Sequence, residues 1–369
     1  MNQGAVVNLL IGAVIAILPL FIRLGSFDFQ RTAKDNLLVV IFSLLGFLMG
    51  NKKRSIGVNA WLVLIYGFFI LSFNHWNVLS IMVMFQSFYI IAGLFFCVNL
   101  YEKLETDSIN LILYGLIAGS IIQSVIAIPQ YFGFDIYREV VLYLPDSTYV
   151  QDADNGSGMV IGSLGNINML ASYLSLASIA ILSLNKGKIL IILPLIALLL
   201  NGSIMGILAL IAGVTYFINL KLNFVKKWKI YTGSIIAMIA YPFSGIGHDS
   251  GRLDIWKQSI SKVNIKHFLI GAGPGWFSDQ KIAIGKYWFA IQEHNEFLSF
   301  FNVFGIVGII LVAPIFIKYI IKKDNGIIFP SILFAAFCNS YGHFSFHQST
   351  VAIIIIVAAC ISINEGNNI

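Results

Sequence analysis

Charged residues are scarce in this sequence: Asp, Glu, Lys and Arg make up only 11% of its 369 residues. In an average soluble domain they make up about a quarter. Hydrophobic residues account for 58%, and the mean hydropathy is +0.85. This balance excludes an ordinary soluble domain and predicts an all-α, polytopic integral membrane protein. The net charge of +6 then reflects membrane topology, so we expect no nucleic-acid partner.

Cysteine and clustered metal ligands are also nearly absent. Cys97, Cys338 and Cys360 all fall within apolar stretches, which argues against disulfides and against a thiolate metal site. No His-Glu-x-x-His spacing occurs, and the first polar loop has only the well-separated carboxylates of Asp28 and Asp35. We therefore expect chemistry that uses neither a metal ion nor another cofactor.

About twelve apolar stretches approach the roughly 20 residues that cross the hydrocarbon core of a bilayer. The connections 129–166 and 246–295 are long, and the others are tight turns. We expect one multi-spanning domain over residues 1–369, in contact with membrane lipids. The predicted spans are 5–22, 36–50, 57–74, 77–98, 108–128, 167–184, 188–200, 204–220, 229–245, 296–317, 327–345 and 349–363.

Basic residues distinguish the two sides of the predicted domain. With the N-terminus inside, the short inner loops hold thirteen Lys and Arg residues and the short outer loops only three. The positive-inside rule therefore places both termini in the cytoplasm and both long loops outside. All six histidines then lie in outer loops or at outer helix ends, so we expect any chemistry at the outer face. The first span lacks a cleavage signature and is interpreted as a retained anchor.

The predicted spans carry no Asp, Glu, Lys or Arg near their centres. Ion-coupled transporters usually place ionisable residues at that depth, so a proton-coupled carrier is disfavoured. Polar residues such as Gln123 and Asn339 do occur there, and such residues often serve helix packing. A lipid-linked sugar flippase, or another carrier that works with polar cavities alone, stays open as an alternative to an enzyme.

The second long loop begins with an amphipathic pattern and continues with glycines. Apolar residues recur at near-helical spacing from Arg252 to His267, which predicts an amphipathic helix against the membrane or the bundle. Gly271 and Gly273 follow in "GAGPGWF"; alternate glycines permit close backbone approach or positive φ. A nucleotide-binding loop is excluded, because no Gly-Lys-Ser/Thr ending and no preceding strand are present.

The cluster "QEHNE" lies directly in front of the predicted span 296–317. His294 is a candidate general base, because we expect it in the first turn of the span, where the positive end of the helix dipole favours the neutral imidazole that accepts a proton. Glu293 or Glu296 would orient the ring or assist, and Asn295 would cap the helix or bind a sugar hydroxyl. The competing interpretation is that the whole cluster is a polar helix cap at the interface.

Four stretches follow one another along the chain: "GSLGNINMLASYL", "GRLDIWKQSI", "FLIGAGPGWF" and "EHNEFLSFFNVFGIVG". Their order and spacing over about residues 120–320 resemble the O-antigen ligase and polymerase superfamily. One departure is Ile204, which stands where many members of that family carry an arginine. The residues that match the family pattern are Asn166, Asn168, Arg252, Trp256, Gly271, Gly273, His294, Asn295, Leu298, Gly305 and Gly308.

The resemblance implies a metal-independent membrane glycosyltransferase. Such enzymes move a glycan from an undecaprenyl-diphosphate carrier to a glycan, lipid-core or protein hydroxyl at the periplasmic face of the bacterial inner membrane. Repeat-unit polymerase, ligase and protein O-oligosaccharyltransferase all stay open, with a slight preference for polymerase. The anionic diphosphate calls for cations, and Arg252 and Arg138 are the candidates. Glycan or diphosphate binding is further assigned to Trp256, Gly271, Gly273, Asn295, Asn166 and Asn168.

Overall fold

The computed structural model describes nine continuous segments and five separate C-terminal positions. The segments are 3–20, 109–135, 160–184, 187–241, 250–273, 276–284, 288–290, 293–321 and 327–341, and the separate positions are Val351, Ile354, Ile355, Val357 and Ala358. The predicted spans 36–50, 57–74 and 77–98, and most of the first long loop, lie outside these residues. The twelve-span layout therefore stays a prediction.

Helices make up most of the described chain, as the composition predicts. Short 3-10 turns at Leu18–Leu20 and Lys188–Ile191 extend the first helix and precede the fourth. The helices are α1 (Gln3–Ile17), α2 (Ile109–Tyr131), α3 (Ile167–Leu182), α4 (Ile192–Asn201), α5 (Ile204–Leu222), α6 (Lys227–Ala240), α7 (Ser250–Ser261), α8 (Ile265–Ile270), α9 (Trp276–Asp279), α10 (Glu296–Ile321) and α11 (Ile328–Ser340).

Helix α3 lies at the centre of the bundle. Every residue from Leu170 to Ile181 is buried, and α3 packs against α2, α4, α5 and α11. A helix that is apolar or small on all faces can be surrounded in this way. Helix α1 packs along α2, and the Tyr173 hydroxyl of α3 donates a hydrogen bond to the Ile15 carbonyl across that pair at 2.8 Å.

Among the described residues, two helices are long and apolar enough to cross a membrane. Helix α2 has 23 residues with a mean hydropathy of 2.2, and α5 has 19 residues with a mean hydropathy of 1.8. Large apolar side chains on both helices are exposed, including Val125 of α2 and Ile211 of α5. Both helices begin within one residue of the predicted spans 108–128 and 204–220.

The second long loop is more folded than predicted. Strands β1 (Ile282–Ile284) and β2 (Trp288–Ala290) form an antiparallel hairpin in which Ile282 pairs with Ala290. The all-α prediction missed this hairpin because each strand has only three residues, too few to show an alternating pattern.

The single amphipathic helix predicted from Arg252 to His267 is also wrong in its extent. Helix α7 ends at Ser261, and α8 is a separate helix capped by Asn264, whose side-chain oxygen accepts from the His267 amide at 2.9 Å. The buried face of α7 contains Trp256 and Ser259, whereas Ile260 is 58% exposed. The apolar spacing predicted that Ile260 would lie on the packed face, but the neighbouring Ser259 is buried in its place. The buried face of α7 is therefore rotated relative to the predicted one.

Helix α10 is broken at Gly305, where φ is 63° and ψ is −169°. This conformation is essentially restricted to glycine. The carbonyl oxygens of Asn302 and Val303, just before the break, accept hydrogen bonds from the Ala272 and Gly273 amides at 2.7 and 3.2 Å. The glycine-rich segment 271–273 therefore packs main chain to main chain against the break.

We expect Gly305→Ala to lower the stability of the protein by about 3 kcal/mol or more. A Cβ atom there would overlap the Gly271 amide and the Leu269 carbonyl, in addition to the strain of positive φ. The control is Gly202→Ala, since Gly202 has a φ of 73° but a Cβ atom added there would meet no other atom within 4 Å. That change should cost only about 1–2 kcal/mol. Melting temperatures of the purified variants in detergent test the difference, and equal losses would contradict the packing at Gly305.

Candidate functional site

Trp256 joins helix α7 to the segment in front of α10. Its indole Nε1 donates a hydrogen bond to the main-chain oxygen of Glu293 at 2.8 Å. Its ring also packs edge-to-face on Tyr341, with 5.3 Å between the ring centroids. Together with Ile255, Phe277 and the hairpin residue Ile282, Trp256 forms a small apolar cluster. This cluster holds the second long loop against the ends of α10 and α11.

The Glu293 carboxylate is buried, with the whole residue only 4% exposed. One carboxylate oxygen accepts from the Ser299 hydroxyl at 2.5 Å and the other from the Asn302 amide at 2.8 Å. Burial of a carboxylate is costly unless hydrogen bonds compensate for lost water. Here both oxygen atoms receive donors from the first two turns of α10.

Asn302 connects three parts of the site. Its side-chain Nδ2 donates to Glu293 and also to the Ser259 hydroxyl of α7, each at 2.8 Å. Its main-chain oxygen accepts from the Ala272 amide at the helix break. The amphipathic helix, the glycine-rich segment and the residues in front of α10 therefore meet at this residue. These are the stretches that carry the family resemblance in the second long loop.

The prediction that His294 lies in the first helical turn is wrong: it stands two residues before the first residue of α10, between Glu293 and the capping residue. Its φ is 53°, in the left-handed region that few residues other than glycine adopt, with asparagine, aspartate and histidine the more frequent exceptions. His294 is half-buried. The helix is capped by Asn295, whose side-chain oxygen accepts from the Leu298 amide at 3.0 Å. Glu296 occupies the first turn, where a carboxylate interacts favourably with the helix dipole.

Of the two arginines predicted to bind the diphosphate, the structure describes Arg252 but not Arg138. Arg252 lies on α7 one turn before Trp256, so the two residues share a helix face. It is half-buried and has interaction partners. Arg138 lies outside the described residues, so its role stays a prediction.

Gly271 and Gly273 both have positive φ, of 81° and 86°. A Cβ atom on Gly271 would overlap the Val303 carbonyl. The prediction that these glycines permit positive φ and close backbone approach is confirmed, and at Gly271 both apply. The partner of the close approach is the broken helix, so the described contacts of these glycines do not assign them to a ligand.

Asn166 and Asn168 stand at the start of α3, in a different part of the bundle. The Asn166 side chain caps α3 by accepting from the Asn168 and Met169 amides at 2.8 and 3.3 Å. The buried segment before it is held by Gln123, whose side chain bonds to both the amide and the hydroxyl of Ser163. Gln123 therefore serves packing, as the sequence predicts.

Helix α11 links these two regions. Its Asn339 side chain donates to the Ser172 hydroxyl of α3, and Tyr341, directly after α11, packs on Trp256. The stretch beginning at Asn166 and the cluster around Glu293 thus both contact the end of this helix. The sequence alone did not predict this connection.

A second histidine of the same loop has a perturbed environment. Burial, and to a smaller degree the adjacent Lys266 ammonium, lower the pKa of the His267 imidazole below its usual value. Its ring packs edge-to-face on Trp276 at 5.5 Å. Within the described part of the chain its Nδ1 atom makes no hydrogen bond. His267 therefore remains neutral to lower pH than an exposed histidine would.

An apolar groove of about 440 Å³ lies between α7, α8 and the first turns of α10. Its lining includes Ile260, Phe268, Leu298 and Phe301. Because Leu298 and Phe301 alternate along α10 with Ser299 and Asn302, the groove and the Glu293 hydrogen bonds lie on neighbouring faces of the same two turns.

Comparison with protein-family models and with curated protein sequences finds no match. Over the residues that the structure describes, no group of three or more His, Cys, Asp or Glu side chains is arranged to hold a metal ion. The metal-independent reaction stays a prediction from the sequence.

Sequence reasoning missed Ser259, Ser299 and Asn302, which hold Glu293 and join α7 to α10. A signal for two of them exists in the sequence. Asn295, Ser299 and Asn302 recur at spacings of four and three in an otherwise apolar stretch, which places them on one face of a helix. Ser259 carries no comparable signal, because its partner Asn302 is 43 positions away.

We expect Asn295→Ala to lower stability by about 1 kcal/mol, because the helix cap on the Leu298 amide is lost. Asn295→Ser keeps a neutral oxygen acceptor for that amide and should retain most of the stability of the wild type. Thermal unfolding of both variants measures the cap. If alanine and serine cost the same, the capping role is contradicted and binding of a sugar hydroxyl becomes the better account.

Proposed function

We propose that this chain is a membrane glycosyltransferase that moves a glycan from an undecaprenyl-diphosphate carrier to a hydroxyl acceptor. The observation that carries the proposal is the convergence at Asn302. Three stretches of the resemblance contact one another around this residue through hydrogen bonds that involve Trp256, Ser259 and the Ala272 amide. A solvated helix cap at a membrane surface would need neither the buried carboxylate of Glu293 nor the left-handed backbone of His294.

The proposed location is the bacterial inner membrane, with both termini cytoplasmic and the site facing the periplasm. Two helices long enough to span a bilayer support a membrane location, as do the exposed apolar side chains on them. The distribution of basic residues supports the orientation. In this orientation the loop that holds Arg252 and His294 lies at the outer headgroup level, where a lipid-linked diphosphate would be.

The proposed reaction is a single displacement at the anomeric carbon. His294 takes the proton of the acceptor hydroxyl as that oxygen bonds to the anomeric carbon. The bond between the carbon and the diphosphate oxygen breaks, and the electron pair leaves with the diphosphate. Arg252 stabilises the negative charge that develops on this leaving group. A single displacement inverts the anomeric configuration.

The apolar groove beside α10 supports a lipid-linked donor. Its Ile260, Phe268, Leu298 and Phe301 side chains suit the isoprenoid part of such a molecule next to the polar site. Polymerase and ligase share this chemistry and differ in the acceptor, so the proposal includes both.

A carrier function would use polar side chains within the bundle to line a cavity. In the described part of the bundle, the hydrogen bonds of such polar side chains are made to other protein groups instead. Gln130, for example, accepts from the Ile161 and Gly162 amides at 2.9 and 2.8 Å, and Asn201 donates to the Val160 carbonyl at 2.6 Å. These contacts favour a packing role for the polar residues, and we therefore rank the enzyme first.

The surface glycan of a deletion strain complemented with His294→Asn tests the proposal. Asparagine tolerates the left-handed backbone at this position, so the change removes the imidazole with little added strain. We expect the polymeric banding on a gel to be lost, with core plus one repeat unit indicating a polymerase and bare core indicating a ligase.

The matched control is His267→Asn, a histidine of the same loop that has no assigned role. It should retain the wild-type banding at equal expression. A full ladder from His294→Asn would contradict the enzyme and move the carrier to first place.

A further inference from the structure

We propose that Glu293 is a positioning residue, which fixes the backbone of His294 through hydrogen bonds and does not itself touch the substrate. This inference rests on the proposed role of His294 as the base. It assigns Ser299, Asn302 and Ser259 to the same task, since they hold Glu293 in place.

Glu293 is anchored at both ends. Its main-chain oxygen accepts from the Trp256 indole at 2.8 Å, and its two carboxylate oxygens accept from Ser299 and Asn302. A residue that is only 4% exposed, with both carboxylate oxygens engaged by α10, is poorly placed to accept a proton from a sugar hydroxyl. Its carboxylate is directed into the protein.

His294 lies between two anchored residues. Glu293 precedes it, and Asn295, fixed as the cap of α10, follows it. Its left-handed φ of 53° persists because both neighbours determine the path of the chain. Because the backbone conformation sets the direction of the Cα–Cβ bond, the hydrogen bonds of Glu293 set the direction of the His294 side chain.

The hydrogen-bonding capacity around Glu293 permits a sharp test. Within the described residues, the Oδ1 atom of Asn302 is buried and has no hydrogen-bond partner. In a Glu293→Gln variant the Asn302 amide can turn by 180°, so that this oxygen accepts from the new amide and from the Ser259 hydroxyl. Ser299 still donates to the remaining oxygen of residue 293. Glutamine therefore preserves the network, whereas a catalytic carboxylate would be lost.

An Asn302→Asp variant should disrupt the hydrogen-bond network that Glu293→Gln preserves. It places a second carboxylate against the carboxylate of Glu293 in a buried site, where like charges repel strongly. The double variant Glu293→Gln with Asn302→Asp again has one carboxylate and one amide, exchanged between the two positions. Both single changes and the double change keep nearly the same side-chain volumes.

The experiment measures glycan transfer per folded molecule for the three variants, with kcat and KM determined separately across pH. We expect Glu293→Gln to stay within a few-fold of the wild type and Asn302→Asp to lose about tenfold or more in kcat. The double variant should recover most of that loss. The pH profile of the double variant should match that of the wild type, because the proton-accepting group is still His294.

Three results would overturn the inference. An inactive but stably folded Glu293→Gln that is not restored in the double variant would make Glu293 a participant in the chemistry. A fully active Asn302→Asp would show that the network does not position His294. If the loss of activity in Asn302→Asp disappears once activity is divided by the amount of folded protein, the network only stabilises the fold and does not position His294.

A measurement that needs no transfer separates this inference from the proposed function. Modification of His294 by diethyl pyrocarbonate, mapped by mass spectrometry, should change in rate in Asn302→Asp and return in the double variant, while His267 stays constant. An unchanged rate at His294 would contradict positioning even if transfer is never observed. Full activity of His294→Asn would instead overturn the proposed function and leave this backbone effect intact.

Discussion

Gly305 interrupts α10 at the place where two carbonyl groups would otherwise accept hydrogen bonds from amides four residues further along. The Asn302 and Val303 oxygens accept from Ala272 and Gly273 instead. An unsatisfied buried carbonyl costs about 1–3 kcal/mol, so the broken helix and the glycine-rich segment depend on each other. Only a residue without Cβ fits this close main-chain contact. Once it forms, Asn302 is held where its side chain reaches both Glu293 and Ser259.

The consequences of this break extend outward through polar contacts. Helix α7 is docked on α10 by Ser259 and Trp256, which places Arg252 one turn away from the indole on the same face. Low polarity around such a cluster strengthens satisfied hydrogen bonds and penalises missing ones, so the arrangement is rigid. Positive φ at His294, a buried carboxylate at Glu293 and a helix break at Gly305 all occur within thirteen residues. Local strain of this kind concentrates at functional positions.

The starts of helices could be predicted from the sequence where the length of an apolar stretch alone determines the helix. The apolar lengths placed the starts of α2, α3 and α5 within one residue, and the front of α10 was predicted at Glu296. The competing interpretation of the "QEHNE" cluster as a helix cap is confirmed for Asn295. That finding does not decide the role of His294, which lies outside the helix.

What the sequence did not predict depends on contacts between distant residues. The split of the predicted amphipathic helix follows from the cap formed by Asn264, a local signal that the apolar spacing obscured. The break at Gly305 requires the partner segment 271–273, and the role of Ser259 requires Asn302. Glycine and serine are common in membrane helices for other reasons, so neither residue type identifies such a contact without the fold.

Glycosyl transfer by the purified protein distinguishes an enzyme from a carrier. The protein in lipid nanodiscs would be given a synthetic oligosaccharide on an undecaprenyl-diphosphate carrier, with a matching acceptor and with a chelator present, and the products separated by mass. We expect acceptor that carries the glycan, with inverted anomeric configuration, and an equal amount of released undecaprenyl diphosphate. An intact donor after prolonged incubation with the acceptors of both polymerase and ligase reactions would contradict this expectation.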